Sequence, residues 1–192
     1  MPGKIYTRRG DKGFTSLLTG ERVSKTDPRI ITLGVLDELS AIIGVTKSFS
    51  SDLIVLGLRE IQEDIFRMAA EIGSLNLKGV ANLRTSTQPR TKFSRLEQHS
   101  VEHLENKIDE LSEKLPTLRN FLLPGGAEAS AFLHLARTVC RRAESELVRL
   151  SLITDLNLVL IQYVNRLSDF LFICARYVNF IQNVPDEIVK GR

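Results

Sequence analysis

The chain has 192 residues, 43% of them apolar and 26% charged, a globular composition that excludes the disordered and fibrous classes. With 26 Lys and Arg against 23 Asp and Glu, the net charge is +3, too small by itself to indicate a polyanion partner. Two cysteines exclude a disulfide framework, and the longest stretch free of charge, residues 156–165, is half the roughly 20 residues that a membrane-spanning helix needs.

This length predicts one domain over residues 1–192, with an N-terminal arm (1–26) ahead of a helical bundle (27–182). Positive charge is concentrated at the front, where Lys4, Arg8, Arg9, Lys12, Arg22, Lys25 and Arg29 face only Asp11, Glu21 and Asp27. Gly3, Gly10, Gly13 and Gly20 interrupt any helical period, so the arm is expected to be irregular chain. Its basic start fits neither a secretory signal nor a transit sequence, and the expected location is the cytoplasm.

Asp27 followed by Pro28 is an N-cap and first-turn proline that start a helix running to about Phe49. In the next helix Ile54, Leu58, Ile61, Ile65, Met68 and Ile72 recur on one face. Asn76 to Phe93, with Gly79, Pro89 and a Thr/Ser/Thr run, reads as a long flexible connection. Ser94 and Glu97 have the spacing of a capping box for a third helix with Val101, Leu104, Ile108, Leu111 and Leu115 on its seam, stopped by Pro116. A fourth seam joins Ala129, Leu133, Ala136, Cys140, Ala143, Leu147 and Leu150. A fifth, from about Asp155, joins Leu156, Leu160, Leu167, Leu171, Cys174, Val178 and Ile181. Five such helices with no convincing strand predict an all-α five-helix bundle, and the two cysteines are expected to be reduced core residues of an intracellular protein.

The arm segment TRRGDKGFTSLLTG brings glycines, hydroxyls and cations together, which is what a backbone cradle for phosphate requires, although the same pattern suits a solvated basic arm. Arg137, Arg141 and Glu144 share a helix face distinct from the apolar seam; Asp37, Ser40 and Gly44 do so on the first helix, and Asn165, Asp169, Phe172 and Arg176 on the fifth. Each stripe alone is compatible with a solvated surface. His99, Glu102 and His103 spell H-x-x-E-H, a zinc-protease pattern, but they interleave with core positions of a charged amphipathic helix and are read as its solvated face.

In order, KIYTRRGDKGFTSLLTGERVSK, GVLDELSAIIG, FLLPGG, RTVCRRAE and NRLSDFLF closely resemble the PduO-type ATP:cob(I)alamin adenosyltransferases, from about Lys4 to Tyr177. The resemblance implies a homotrimer with sites at subunit interfaces. It also implies transfer of the 5′-deoxyadenosyl group of ATP to Co(I) of cobalamin, giving adenosylcobalamin and triphosphate, with Mg2+ accompanying the nucleotide. Thr7, Arg8, Arg9, Gly10, Thr15, Ser16 and Lys25 match the family's ATP-binding arm, and Arg141, Arg142, Glu144 and Asn165 its ATP-contacting helix residues. Asp37 and Arg137 match an inter-subunit salt bridge, and Phe121 the aromatic that closes the lower corrin face. Asp169 is expected to support the arginines, and Gly125 and Gly126 to let the chain turn so as to present Phe121. No residue is assigned as a metal ligand.

Arg9, Ser40 and Ser145 depart from the family's usual Thr or Ser, Asn, and Arg; the last removes a cation. A flavoprotein reductase and a cobalamin-dependent acceptor enzyme are the implied partners, and neither nucleic acid nor membrane is expected. The rival readings are a noncatalytic helical module that binds ATP or cobalamin as an escort, or one that binds polyanions through its arm. The second is weakened by the absence of Trp and the presence of only three Tyr.

Overall fold

The computed structural model describes residues 5–49, 56–78 and 94–189. A short antiparallel hairpin, β1 (Phe14–Ser16) and β2 (Arg22–Ser24), precedes five helices: α1 (Pro28–Lys47), α2 (Leu58–Ile72), α3 (Gln98–Glu113), α4 (Glu128–Ser151) and α5 (Val159–Ile181). α4 lies at the centre, packed against α1 and α5; α3 covers α5 and α2 covers α1. The all-α bundle expected from the seams is present.

The Asp27 carboxylate accepts the Arg29 backbone N–H at 2.9 Å, so α1 begins where the Asp-Pro pair predicts. The predicted α4 seam is buried throughout, from Ala129 to Leu150, as are Leu58, Ile61, Ile65, Met68 and Ile72 on α2. Ile54 and most of the predicted connection lie outside the described residues.

Four expectations are corrected. The arm is not wholly irregular: Thr15 pairs with Val23, Leu17 N–H donates to Glu21 at 2.9 Å, and Leu17 and Val23 are buried. Two anchored apolar residues and a turn with Gly20 at φ 83° suffice for a three-residue ladder too short to show alternation in sequence. Ser94 and Glu97 do not form a capping box. α3 starts at Gln98 after an extended Glu97, because Leu96 is drawn into the core and its carbonyl accepts Asn157 Nδ2 at 3.0 Å.

α5 starts at Val159 rather than Asp155. The chain before it is tied to residues 77–78, where Leu77 pairs with Thr154 and Lys78 N–H donates to Ile153 at 2.8 Å. Its buried seam ends at Val178, and Ile181, in the last turn, is exposed.

Candidate functional site

The arm is built around backbone turns. Arg8 adopts a left-handed φ of 58°, uncommon for a residue with a side chain, and its guanidinium lies over the Tyr6 ring, 5.6 Å from the centroid. Gly13 N–H donates to Gly10 at 3.2 Å and Lys25 N–H to Gly13 at 2.8 Å; Arg22 donates to the Arg9 carbonyl. A Cβ at Gly10 would stand 3.3 Å from Lys25 Nζ, so glycine lets the ammonium lie close over the loop backbone. Thr7, Arg8, Arg9, Ser16 and Lys25 are exposed, while Thr15, on the other face of β1 from Ser16, is half-buried.

One residue that places the arm was not singled out for a role by its sequence pattern. Arg29 is only 1% exposed, donates to Asp27 Oδ2 at 2.8 Å and to the Leu75 carbonyl at 2.8 Å, and holds Glu21 of the hairpin turn at 3.0 Å. Its hydrogen bond holds the Asp27 carboxyl below the usual carboxylate range, and the same bond raises the guanidinium. The available signal was a cation directly after a capping Asp-Pro, at the start of an otherwise apolar helix.

The second half of the site lies on α4 and its neighbours. Arg141 is exposed. Arg142, half-exposed, pairs with Glu38 of α1, and Asn165 of α5 donates to Glu144 at 3.0 Å. The buried Nε of Arg137 has no hydrogen-bond partner among the described residues, and no ion pair joins it to the exposed Asp37 within the chain. His134, one turn earlier, is buried with an unpartnered Nδ1 and meets the Phe172 ring edge-on at 6.0 Å; burial, then Arg137, lowers its pKa.

Ser145 donates to the Arg141 carbonyl at 3.1 Å, a contact within its own helix. Asp169 accepts from Arg166 at 3.3 Å, one turn away on α5, and among the described residues no hydrogen bond within the chain joins it to Arg141 or Arg142.

Phe121 stands 87% exposed on the segment between α3 and α4. Its carbonyl accepts Val189 N–H at 2.8 Å, Leu123 N–H donates to Glu187 at 2.8 Å, and Leu122 pairs with Ile188, so the loop and the C-terminal segment form a narrow ribbon. Of the two glycines, Gly126 is the one with a left-handed φ, 98°, while a Cβ added at Gly125 would meet nothing within 4 Å.

The H-x-x-E-H residues do not converge: His103 faces Glu60 and His99 faces Glu97, each at 3.6 Å. Among the described residues no group of three or more His, Cys, Asp or Glu could hold a metal ion. Cys140 and Cys174 are buried, and burial pushes both thiols up, away from reactivity. No described helix is long and apolar enough to cross a membrane.

A helical bundle with a cationic face on its central helix and a glycine-bearing cationic arm defines a protein suited to a phosphate-bearing ligand. The sequence profile of the cobalamin adenosyltransferase family matches residues 5–178. The corrinoid adenosyltransferase PduO of Salmonella typhimurium is 42% identical over 173 residues, covering 90% of this chain and 48% of that protein. The corrinoid adenosyltransferase MMAB of Bos taurus is 36% identical, covering 97% of this chain and 76% of that one. The chain thus spans about half the length of the Salmonella relative.

A phenylalanine-to-histidine variant of a PduO-type ATP:corrinoid adenosyltransferase from Lactobacillus reuteri, solved with cobalamin and ATP, superposes with a TM-score of 0.85. It is 34% identical, covering 98% of this chain and 97% of that one. The chain belongs to the cobalamin adenosyltransferase family, in its PduO type.

Proposed function

We propose that the protein transfers the 5′-deoxyadenosyl group of ATP to the cobalt of a reduced corrinoid, cobalamin being the expected one, and releases triphosphate. The observation that carries this reading is the α4 face: arginines at 141 and 142, a carboxylate at 144 bonded to Asn165, and at 137 a buried Nε with no partner among the described residues.

In the reaction the electron pair of Co(I) forms the cobalt–carbon bond as the bond from C5′ to phosphate oxygen breaks, and those electrons leave on triphosphate. The nucleophile carries no proton and the leaving group is already ionised, so the chain need supply neither acid nor base. Its task is charge and alignment. Arg141 and Arg142 present planar forks to phosphate oxygens, Arg142 exchanging Glu38 for them, and Arg8 and Lys25 add charge from the arm. Cations held in place where water is excluded are worth roughly 3 to 4 kcal/mol each, and aligning two large substrates about 7 to 11 kcal/mol.

Thr7, Arg9, Gly10, Thr15 and Ser16 offer backbone and hydroxyl donors to the same nucleotide. Mg2+ finds no cage of protein carboxylates among the described residues, which suits an ion held by phosphate oxygens and water. The exposed Phe121 ring is an apolar wall for the lower corrin face, where exclusion of an axial ligand eases reduction of Co(II) to Co(I).

The arm leaves the bundle at Pro28, ten residues along α1 from Glu38, or about 15 Å of helix. As the family resemblance implies, the two cation sets meet where the arm of one copy reaches the α4 face of the next, in a homotrimer whose interfaces hold the sites, and the Nε of Arg137, partnerless among the described residues, supports this reading. There Asp37 supplies the partner that Arg137 lacks. The reading places the protein in the cytoplasm, with a flavoprotein reductase as electron source and a cobalamin-dependent enzyme as acceptor.

The test is anaerobic mixing of the protein with ATP and chemically reduced cobalamin while the corrin spectrum is followed. Conversion to adenosylcobalamin with matching triphosphate release is expected, and Arg141→Ala is expected to abolish it with helix content intact. An unchanged spectrum with the unaltered protein, or near-normal turnover in Arg141→Ala, contradicts the reading.

A further inference from the structure

Phe121 has almost no side-chain contact to hold it, so its placement depends on the backbone that carries it. Two buried side chains of α5 fasten that backbone on both sides. Arg176, 6% exposed, donates to the Pro116 carbonyl at 2.9 Å and from Nε to Asp186 at 3.0 Å. Asn179, 3% exposed, accepts Ala127 N–H at 3.0 Å and donates to the Gly125 carbonyl at 3.3 Å and to Asp186 at 3.2 Å.

Pro116 and Gly125 bracket the segment containing Phe121, and Asp186 lies just before the residues of the C-terminal segment, Glu187 and Val189, whose backbone bonds to it. Both N–H donors of the Asn179 amide and its oxygen are engaged. Gly126 completes the fit, since a Cβ there would stand 2.3 Å from Asn179 Oδ1 at a φ of 98°.

We infer that Asn179 and Arg176, acting with Asp186, are positioning residues for Phe121: they clamp the loop and the C-terminal segment as one ribbon and so set where the ring stands. This rests on the role of Phe121 stated above. None of the three touches the reacting atoms. Their influence on the reaction runs through the ring, and it is strongest in the step the ring governs, the approach from Co(II). A displacement of about 1 Å at a remote support can cost up to a hundredfold in rate.

The test compares deoxyadenosyl transfer to cobalamin started from Co(II) with a reductant and from prereduced Co(I), in Asn179→Ala, Phe121→Ala and the double variant. The expected result is that Asn179→Ala slows the Co(II) reaction about tenfold more than the Co(I) reaction, and that this extra loss disappears when Phe121 is already Ala. Equal losses in both assays, or an extra loss that persists undiminished in the double variant, overturn the clamp. Should Asn179→Ala fail to fold, Asp186→Asn, which keeps the shape and removes the charge facing Arg176, is read in the same way. A Phe121→Ala variant with equal losses in both assays removes the reading beneath the clamp. A Phe121→Ala difference matched in neither Asn179→Ala nor Asp186→Asn overturns the clamp alone.

Discussion

Arg29 is a charged side chain with 1% exposure, and it is tolerated there because two carboxylates and a carbonyl take up its donors. Replacing it by Met leaves the largely buried Asp27 carboxylate uncompensated and is expected to cost about 3 kcal/mol in urea denaturation; a loss below about 1 kcal/mol would show that the network contributes little. The sign of the pH dependence follows from Asp27. Its carboxyl titrates below the ordinary 3.8 in the folded chain, so protons favour the unfolded chain. The stabilisation is complete above the unfolded value and disappears as pH falls through the folded one. Stability curves of the parent and Asp27→Asn should therefore begin to approach each other below about pH 4 and meet only once pH has fallen through the folded-state value, and parallel curves would exclude the linkage.

At the scale of elements, the helices were legible because each carries an apolar stripe long enough to repeat several times. The stripe of α4 is buried from end to end. What escaped was set by contacts distant in sequence, the Asn157 bond that keeps Leu96 out of α3 and the pairing of Leu77 with Thr154 that delays α5, or was too short to repeat, as in the ladder of the arm. The hairpin turn depends on Gly20 at φ 83°, so Gly20→Val forces a side chain into a conformation costing about 1 to 2 kcal/mol. Because Glu21 follows it and bonds Arg29, the strain loosens the arm and leaves the bundle alone. Amide exchange at Thr15 and Val23 should quicken while that of α4 stays unchanged. Uniform quickening would mean that the arm and bundle unfold together.

For the whole molecule, the arm and the α4 residues of the site were legible only as an ordered set of motifs, since each stripe alone suited a solvated surface. Single-chain periodicity could not say that Arg142 rests on Glu38 or that Asp169 serves Arg166, because those pairings are chosen by the packing of α1 on α4 and by the local turn of α5. Nor could it reveal Arg29, Arg176 and Asn179, each of which joins a carboxylate to backbone groups of segments that only the fold brings together.

The central claim is that cations on the arm of one copy and on α4 of another converge on one triphosphate. Its most direct test co-expresses Arg8→Ala with Arg141→Ala and measures adenosylcobalamin formation by the mixed oligomers. Each variant alone should be strongly impaired. Random mixing should restore about a quarter of the sites, each with an intact arm from one chain and an intact α4 face from the other. A mixture no more active than its two parents would place the arm and the α4 arginines of each site on the same chain and contradict the account.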